Sequence, residues 1–306
     1  MLDPWRLKLL GDLASLGTVR AVAQAAHLSP STVSQQLAVL EREAGARLFE
    51  RSGRRLRLTE AGAALSRHAR TILDQMEAAR AEVAALSDAG RVTIGAFTSA
   101  ANTFVLAALS LLARRHPRLR ADVWELDPVE SLPALRRGDC DVVVTADVFD
   151  GSSPIDADIV HTPLATDRIV LVTASGSSSP VSPVDLAAHA GRIWSAERPG
   201  TWTHDLVTRA CRRSGFEPDI GALFASYGPL LAHVEAGLSV TLLPELAVDP
   251  RYDVVAHPLR DPLERHITAA ARATAATRPS VATVLAALTE TTRTLPSVRQ
   301  VGAGDF

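Results

Sequence analysis

The sequence predicts an α/β protein that carries a small all-helical, winged module at its N-terminus. Three observations predict it. Residues 4–45 hold three short helical patterns, and a strand-like alternation follows at 55–58. Residues 61–87 contain one glycine, no proline and an unbroken apolar seam. From Arg91 onward, strand-like and helical segments alternate. The length of 306 residues suits two or three domains.

Composition narrows the class. Hydrophobic residues at 47% and charged residues at 22% exclude wholesale disorder. The run Leu106–Ala113 falls far short of the ~20 apolar residues a membrane span needs. Asp3, Pro4 and Asp12 stand where a secretory leader would be basic and then apolar, so no leader is expected. Cys140 and Cys211, with no CxxC, exclude a disulfide scaffold or cysteine zinc ribbon and fit a reducing cytoplasm. The net charge of −2 hides an asymmetry: residues 1–62 carry nine Lys/Arg against six Asp/Glu, residues 91–306 carry 20 against 24. Arg51, Arg54, Arg55 and Arg57 fall within seven positions that hold no acid. A basic module on a mildly acidic body suits a DNA reader joined to a sensor, although charge alone fits a solvated loop equally well.

In the module, Leu7, Leu10, Leu13 and Ala14 recur at helical spacing until Gly17. Thr18 then caps a second helix, Val19–Ala26, whose many alanines permit close packing. Ser29-Pro30 starts a third, to about Ala44, with a hydroxyl cap and proline at the first helical position. Val33, Leu37 and Leu40 face inward. Ser31, Thr32, Ser34, Gln35 and Gln36 are left outside, polar and uncharged, suited with Ser29 to base edges and phosphates in a major groove. Leu56 and Leu58 alternate with Arg55 and Arg57 after a Ser-Gly turn, which predicts a two-stranded wing. Arg51, Arg54 and Arg55 would meet the DNA backbone or minor groove.

The segments Gly17-Thr-Val-Arg-Ala-Val-Ala, Leu28-Ser-Pro-Ser-Thr-Val-Ser-Gln-Gln-Leu37, Leu40-Glu-Arg-Glu-Ala-Gly45, Leu48-Phe-Glu-Arg51 and Leu58-Thr-Glu-Ala-Gly62 carry a dense, collinear likeness. They resemble the winged helix-turn-helix of LysR-type transcriptional regulators. The sequence departs from the family's common pattern at Val19, Val22-Ala23 and Ala26, all volume changes in a small core.

The seam from Ala61 to Ser87 runs Leu65, Ala69, Ile72, Met76, Ala79, Val83, Leu86, a heptad spacing. The helix would be about 40 Å long. Packing on its own body is one outlet for the seam. Self-pairing through Leu65, Ile72, Met76, Ala79, Val83 and Leu86 is the other, and the resemblance implies it. Pairing would set two recognition helices to read half-sites about one DNA turn (~34 Å) apart. Asp88-Ala-Gly90 reads as a hinge.

Beyond it, strands are expected at 92–97, 121–125 and 141–145, with helices at 101–115 and 129–137, a largely parallel βαβαβ unit. A strand at 169–173 would enter a second lobe holding helices at 183–188, 203–214 and 229–236 and strands at 192–195, 222–225 and 239–243. A strand at 266–271 would return, and a helix at 279–294 would complete the first lobe. Two lobes with two crossovers, and Gly237-Leu-Ser-Val-Thr-Leu-Leu-Pro244, resemble the LysR-type effector domain and the periplasmic binding proteins. The expected division is 1–62 for DNA, 63–90 for the linker helix and hinge, 91–165 plus 266–306 for lobe I, and 166–265 for lobe II.

A two-lobed α/β unit binds small molecules between its lobes. Thr98 and Ser99 after the first strand, Asn102 one turn on, Thr145 and Asp147 after the third strand, Thr201, Trp202 and Thr203 at a helix start, and Ser226 and Tyr227 before the next helix should face the cleft. Hydroxyl-lined helix starts favour a small carboxylate-bearing metabolite, and Asp147 could receive a cationic group, as in an amino acid. Each of these residues also fits an ordinary helix cap. Nothing matches a dinucleotide fold, a phosphate loop, a nucleophile elbow or a metal-ligand spacing among the nine histidines, so no catalytic residue, cofactor or metal is expected. Glu125-Leu-Asp127 reads as a strand end and turn.

Two functions remain open from the residues. One is a ligand-responsive DNA-binding regulator. The other is a metabolite-binding protein or enzyme whose N-terminal helices serve another partner. The wing arginines, the uncharged face of 31–36 and the heptad helix favour the first, and the resemblance agrees. It implies a dimer of dimers on an interrupted inverted repeat, effector-driven lobe closure, and RNA polymerase as a candidate further partner, with no membrane.

Overall fold

The computed structural model describes residues 1–52, 55–86, 90–147, 158–176 and 183–295. The side chains of 51, 52, 55, 74, 77, 78 and 80–86 are not among those described. The side chains of Arg51, Arg54, Arg55, Val83 and Leu86, and most of the expected hinge, therefore lie outside the described part of the molecule.

The module forms as its caps dictate. Helix α1, Pro4–Leu16, begins where Asp3 Oδ1 accepts the N–H of Trp5 at 2.8 Å and ends at Gly17, whose φ of 73° lets its N–H turn back to Leu13. Thr18 caps α2, Val19–Ala25, and Ser29 caps α3, Pro30–Ala44. Each cap contributes about 1 kcal/mol. His27, at φ 54°, makes the tight connection, the one non-glycine among the described residues with positive φ. Leu9, Leu13, Val22, Ala23, Val33 and Leu37 fill the space between the three helices. Strands β1, Phe49–Ser52, and β2, Arg55–Leu58, pair antiparallel as the wing.

Helix α4, Glu60–Leu86, starts against that wing. Thr59 ties the junction: its hydroxyl donates to Arg47 O, its oxygen accepts Gly62 N–H, and its own N–H reaches Leu48 O. A Cβ on Gly62 would lie 2.1 Å from that Leu48 oxygen, so only glycine fits. The first part of the seam is committed within the chain. Leu65, Ala69 and Leu73 pack on Leu7, Leu10, Leu40 and Leu48 of the module. Beyond them Ile72 and Met76 are each 39% exposed, and Ala79 is exposed too.

Lobe I is built on β3 (Arg91–Ala96), β4 (Arg120–Glu125) and β5 (Val142–Asp147), with β3 parallel to both neighbours. Between them run α5 (Thr98–Ala100), a π-turn at Ala101–Val105, α6 (Leu106–Arg115) and α7 (Pro128–Arg137). The next strand corrects the sequence reading. Instead of a short strand at 169–173, β6 spans Ile159–Ala174 and belongs to both lobes. Its first part pairs with β11, Glu264–Arg272; from Ile169 it pairs with β9, Thr241–Pro244, and from Val170 also with β10, Val254–Pro258. Pro163 and the charged Asp167-Arg168 disguise its alternation, and the register slips beside Pro163. Both β6 and β11 run antiparallel to their neighbours, so the sheet is parallel only at β3, β4 and β5.

Lobe II adds β7 (Ile193–Glu197), α8 (Trp202–Arg213), β8 (Asp219–Phe224) and α9 (Tyr227–Glu235). The helix expected at 183–188 is one tight turn at Leu186–His189, because burial draws Val184 into a bridge with Leu259. Strand β10 and a short α10, Ala273–Ala276, were not foreseen. Helix α11, Pro279–Thr292, closes lobe I. Separate cores fill the lobes: Ile94, Phe104, Val144 and Val284 in lobe I, Trp194, Leu206 and Leu242 in lobe II. Helix α1 touches α7, and α4 touches α10, so the module and lobe I meet within one chain.

Candidate DNA face and inter-lobe site

On α3, Ser29, Ser31, Ser34 and Gln35 are exposed, while Thr32 and Gln36 are half-buried. Ser29 Oγ lies 2.7 Å from Ser31 Oγ and 2.8 Å from Thr32 Oγ1, and it accepts the Thr32 N–H that starts the helix. Gln36 is turned toward α1, its carbonyl accepting Arg6 Nε–H at 2.9 Å while Arg6 also grips Glu43. The Ser34 and Gln35 side chains make no hydrogen bond with any described residue, which leaves their donors and acceptors facing outward.

Between the lobes the polar groups are already engaged. Asp127 caps α7 through Val129 N–H at 3.0 Å and reaches across to Trp202 N–H, the start of α8, at 3.2 Å. Burial pushes its carboxyl up, and those two N–H groups pull it back. Thr98 donates to Glu125. Thr203, 1% exposed, shares a 3.0 Å hydrogen bond with the Tyr227 hydroxyl, which burial pushes up to about 12. Glu197 at the end of β7 is likewise pushed up by burial, with the Thr203 hydroxyl opposing.

Below them lies an ion pair the sequence reading missed. Arg265 Nη2 is 2.7 Å from Asp167 Oδ2, with side chains 1% and 0% exposed. Asp167 sits on β6 and Arg265 on β11 where both strands pass between the lobes. Asp167 also accepts Leu246 N–H, and burial pushes its carboxyl up against the pull of Arg265. Arg265 Nη2 donates to Ser99 Oγ at 2.8 Å. Its Cζ stands 4.6 Å from the Phe97 ring centroid and 5.4 Å from that of Trp202.

The structure therefore gathers Thr98, Ser99, Trp202, Thr203 and Tyr227 around one locus, and adds Glu125, Asp127, Asp167, Glu197 and Arg265. Thr145 makes a long 3.5 Å contact to Pro128 O, and Asp147 ends β5 opposite His266. Thr201 is spent on its own turn, capping His204 N–H and donating to Arg198 O. Asn102 and Ser226 are exposed and join none of these bonds. Charged residues inside strand segments were the available signal for Arg265 and Asp167, since a buried charge needs a partner; nothing in the sequence says which.

Both cysteines are buried, in different cores, and burial pushes the Cys140 thiol to about 11 and the Cys211 thiol to about 12. Among the described residues no group of His, Cys, Asp and Glu could hold a metal ion, and no helix is long and apolar enough to cross a membrane.

Comparison with known proteins is consistent along the chain. The bacterial regulatory helix-turn-helix model of the lysR family matches residues 5–63, and the LysR substrate binding domain model matches residues 86–293. The nitrogen assimilation regulatory protein nac of Klebsiella aerogenes is 30% identical over 79% of this chain and 78% of its own. The transcriptional dual regulator OxyR of Escherichia coli is 26% identical over 80% and 79%. A full-length OxyR variant from Pseudomonas aeruginosa has the same fold, with a TM-score of 0.64 over 99% of both chains at 22% identity. Full-length CbnR complexed with its target DNA gives 0.54 at 20% identity, over 95% of this chain and 100% of that one.

Proposed function

The chain belongs to the LysR family of transcriptional regulators, a DNA-binding helix-turn-helix joined to an effector-binding domain, and from that premise we propose that it reads an interrupted inverted repeat in promoter DNA and changes its grip when a small carboxylate-bearing metabolite enters between the lobes. The observation that carries the DNA half is the uncommitted outer face of α3, where Ser34 and Gln35 have no partner among the described residues. Ser29, Ser31 and Thr32 at the helix start would meet phosphate, Gln35 a base edge, and Arg51, Arg54 and Arg55 the backbone or minor groove. Exposed Ile72, Met76 and Ala79, continued by Val83 and Leu86, would pair two copies, and two pairs would form the tetramer. The protein would act in the cytoplasm, with RNA polymerase a further partner.

For the effector half, Asp127 already holds the α8 start across the cleft, so a ligand must exchange bonds that now join the lobes. That exchange is what allows its affinity to differ between two arrangements. The carboxylates of Glu125, Asp127 and Glu197 suit a cationic group at the other end of the same molecule, hence an amino acid or similar zwitterion. A thiol switch of the kind a peroxide response needs is not supported. Reactive thiols are accessible and low in pKa, and Cys140 and Cys211 are neither.

Footprinting of the purified protein on the DNA upstream of its own gene, at moderate salt, tests the reading. Protection over an interrupted dyad is expected, and absence of binding to any duplex at any salt would overturn it.

A further inference from the structure

We propose that Arg265 is the effector's carboxylate anchor, its open Nη1 edge taking the ligand's oxygens while Asp167 and Ser99 hold the opposite edge. The inference rests on the reading of the cleft as the effector site and deepens it.

A guanidinium carries five N–H groups. In Arg265, Nε donates to Asp167 at 3.0 Å, and Nη2 donates to Asp167 at 2.7 Å and to Ser99 at 2.8 Å. The two N–H groups of Nη1 have no hydrogen-bond acceptor among the described residues, although the side chain is 1% exposed. Nη1 is not sealed off like the rest of the group, so it keeps a contact with solvent, and a carboxylate oxygen arriving there would meet donors that no described residue satisfies. The group is also held in one plane. Phe97, at the end of β3 in lobe I, and Trp202, at the start of α8 in lobe II, both lie against it. A ligand that touches Nη1 therefore feels both lobes and, through Asp167, both crossover strands. Asp167 and Ser99 already take Nε and Nη2, so the ligand meets Nη1 alone, and the positive charge behind its N–H groups favours a carboxylate oxygen over the amide oxygen of the same shape.

The test follows tryptophan emission of the full-length protein during titration with acetate, and with acetamide as the uncharged isostere, at constant ionic strength. Trp202→Phe assigns the signal. Arg265→Lys keeps the charge without the fork. Arg265→Met alone would strand Asp167, so the double variant Arg265→Met/Asp167→Leu removes the pair together and keeps the fold. A saturable response to acetate is expected in the wild type, about tenfold or more weaker with acetamide and in both variants. Equal responses from the variants would overturn the anchor and leave a ligand cleft standing. Equal responses to the two compounds would overturn the carboxylate. No response to acetate would overturn the anchor, whereas a footprint on DNA in the same preparation would keep the regulator reading intact.

Discussion

The outer face of α3 and the floor of the cleft are both polar, yet they are organised in opposite ways. On α3 the side chains that would meet DNA stand apart from the rest of the molecule, with Ser34 and Gln35 bonded to no described residue. In the cleft, Thr98, Ser99, Asp127, Thr203 and Tyr227 are each bonded to another residue, Asp127 to the α8 start in the other lobe and Ser99 to a crossover strand. An open face binds without rearrangement, so it contributes affinity and discrimination. An engaged site must give up one set of contacts for another, so it contributes coupling.

The largest effect that would sharpen the contrast comes from Arg265→Met. Leaving Asp167 buried and unpaired should destabilise the sensor by about 3–5 kcal/mol in chemical denaturation, and Arg265→Met/Asp167→Leu should recover most of it. A single variant as stable as the wild type would show the pair to be loosely solvated. Gln35→Ala should do the reverse: stability unchanged within about 0.5 kcal/mol, and about 1–3 kcal/mol lost in discrimination between the operator and a mismatched site. Equal weakening on all DNA in competition binding would remove Gln35 as a base reader. Asp127→Ala should loosen the α8 start by about 1–2 kcal/mol, read as faster hydrogen exchange at the Trp202 amide, without touching the module.

The smallest effect separates the two lobes. His189 and His257 both lie in lobe II, and burial lowers both below the ordinary histidine value. Their folded pKa values lie below the unfolded ones, so the stability tied to their neutral forms is present above about pH 6.5 and lost as pH falls through the lowered values. Hydrogen exchange at pH 7 and pH 5.5 should show lobe II weakening on acidification more than lobe I. Equal weakening of both would assign the acid response elsewhere.

The same contrast explains how much of the molecule was legible in its sequence. Caps at Thr18 and Ser29, the stop at Gly17, the inward stripe Val33-Leu37-Leu40 and the wing are set by neighbours within a few residues, so local spacing suffices to find them. Thr98, Ser99, Trp202 and Tyr227 could be proposed from the sequence because strand ends and helix starts are local too. Asp167 and Arg265 stand 98 positions apart. Their meaning depends on the two crossover strands lying side by side, which no short window contains. Glu125 and Asp127 were visible as a strand end and a turn, and that description was true without being complete: the turn lies against the other lobe. Leu65 shows the converse: its heptad position suits a second copy, and within this chain it packs against the module's own core.

The close approach of Gly62 to the Leu48 oxygen, with the Thr59 hydrogen bonds beside it, packs the wing directly against the start of α4. If that junction moves as one piece, the helix is a lever arm of about 40 Å held at one end. A tilt of about 10° imposed where it meets the sensor would sweep its tip by about 7 Å, and the wing would turn through the same angle. Two such arms clamped together would convert a small rotation of the sensors into a change in the distance between two grips on DNA, with no bending of the helix required.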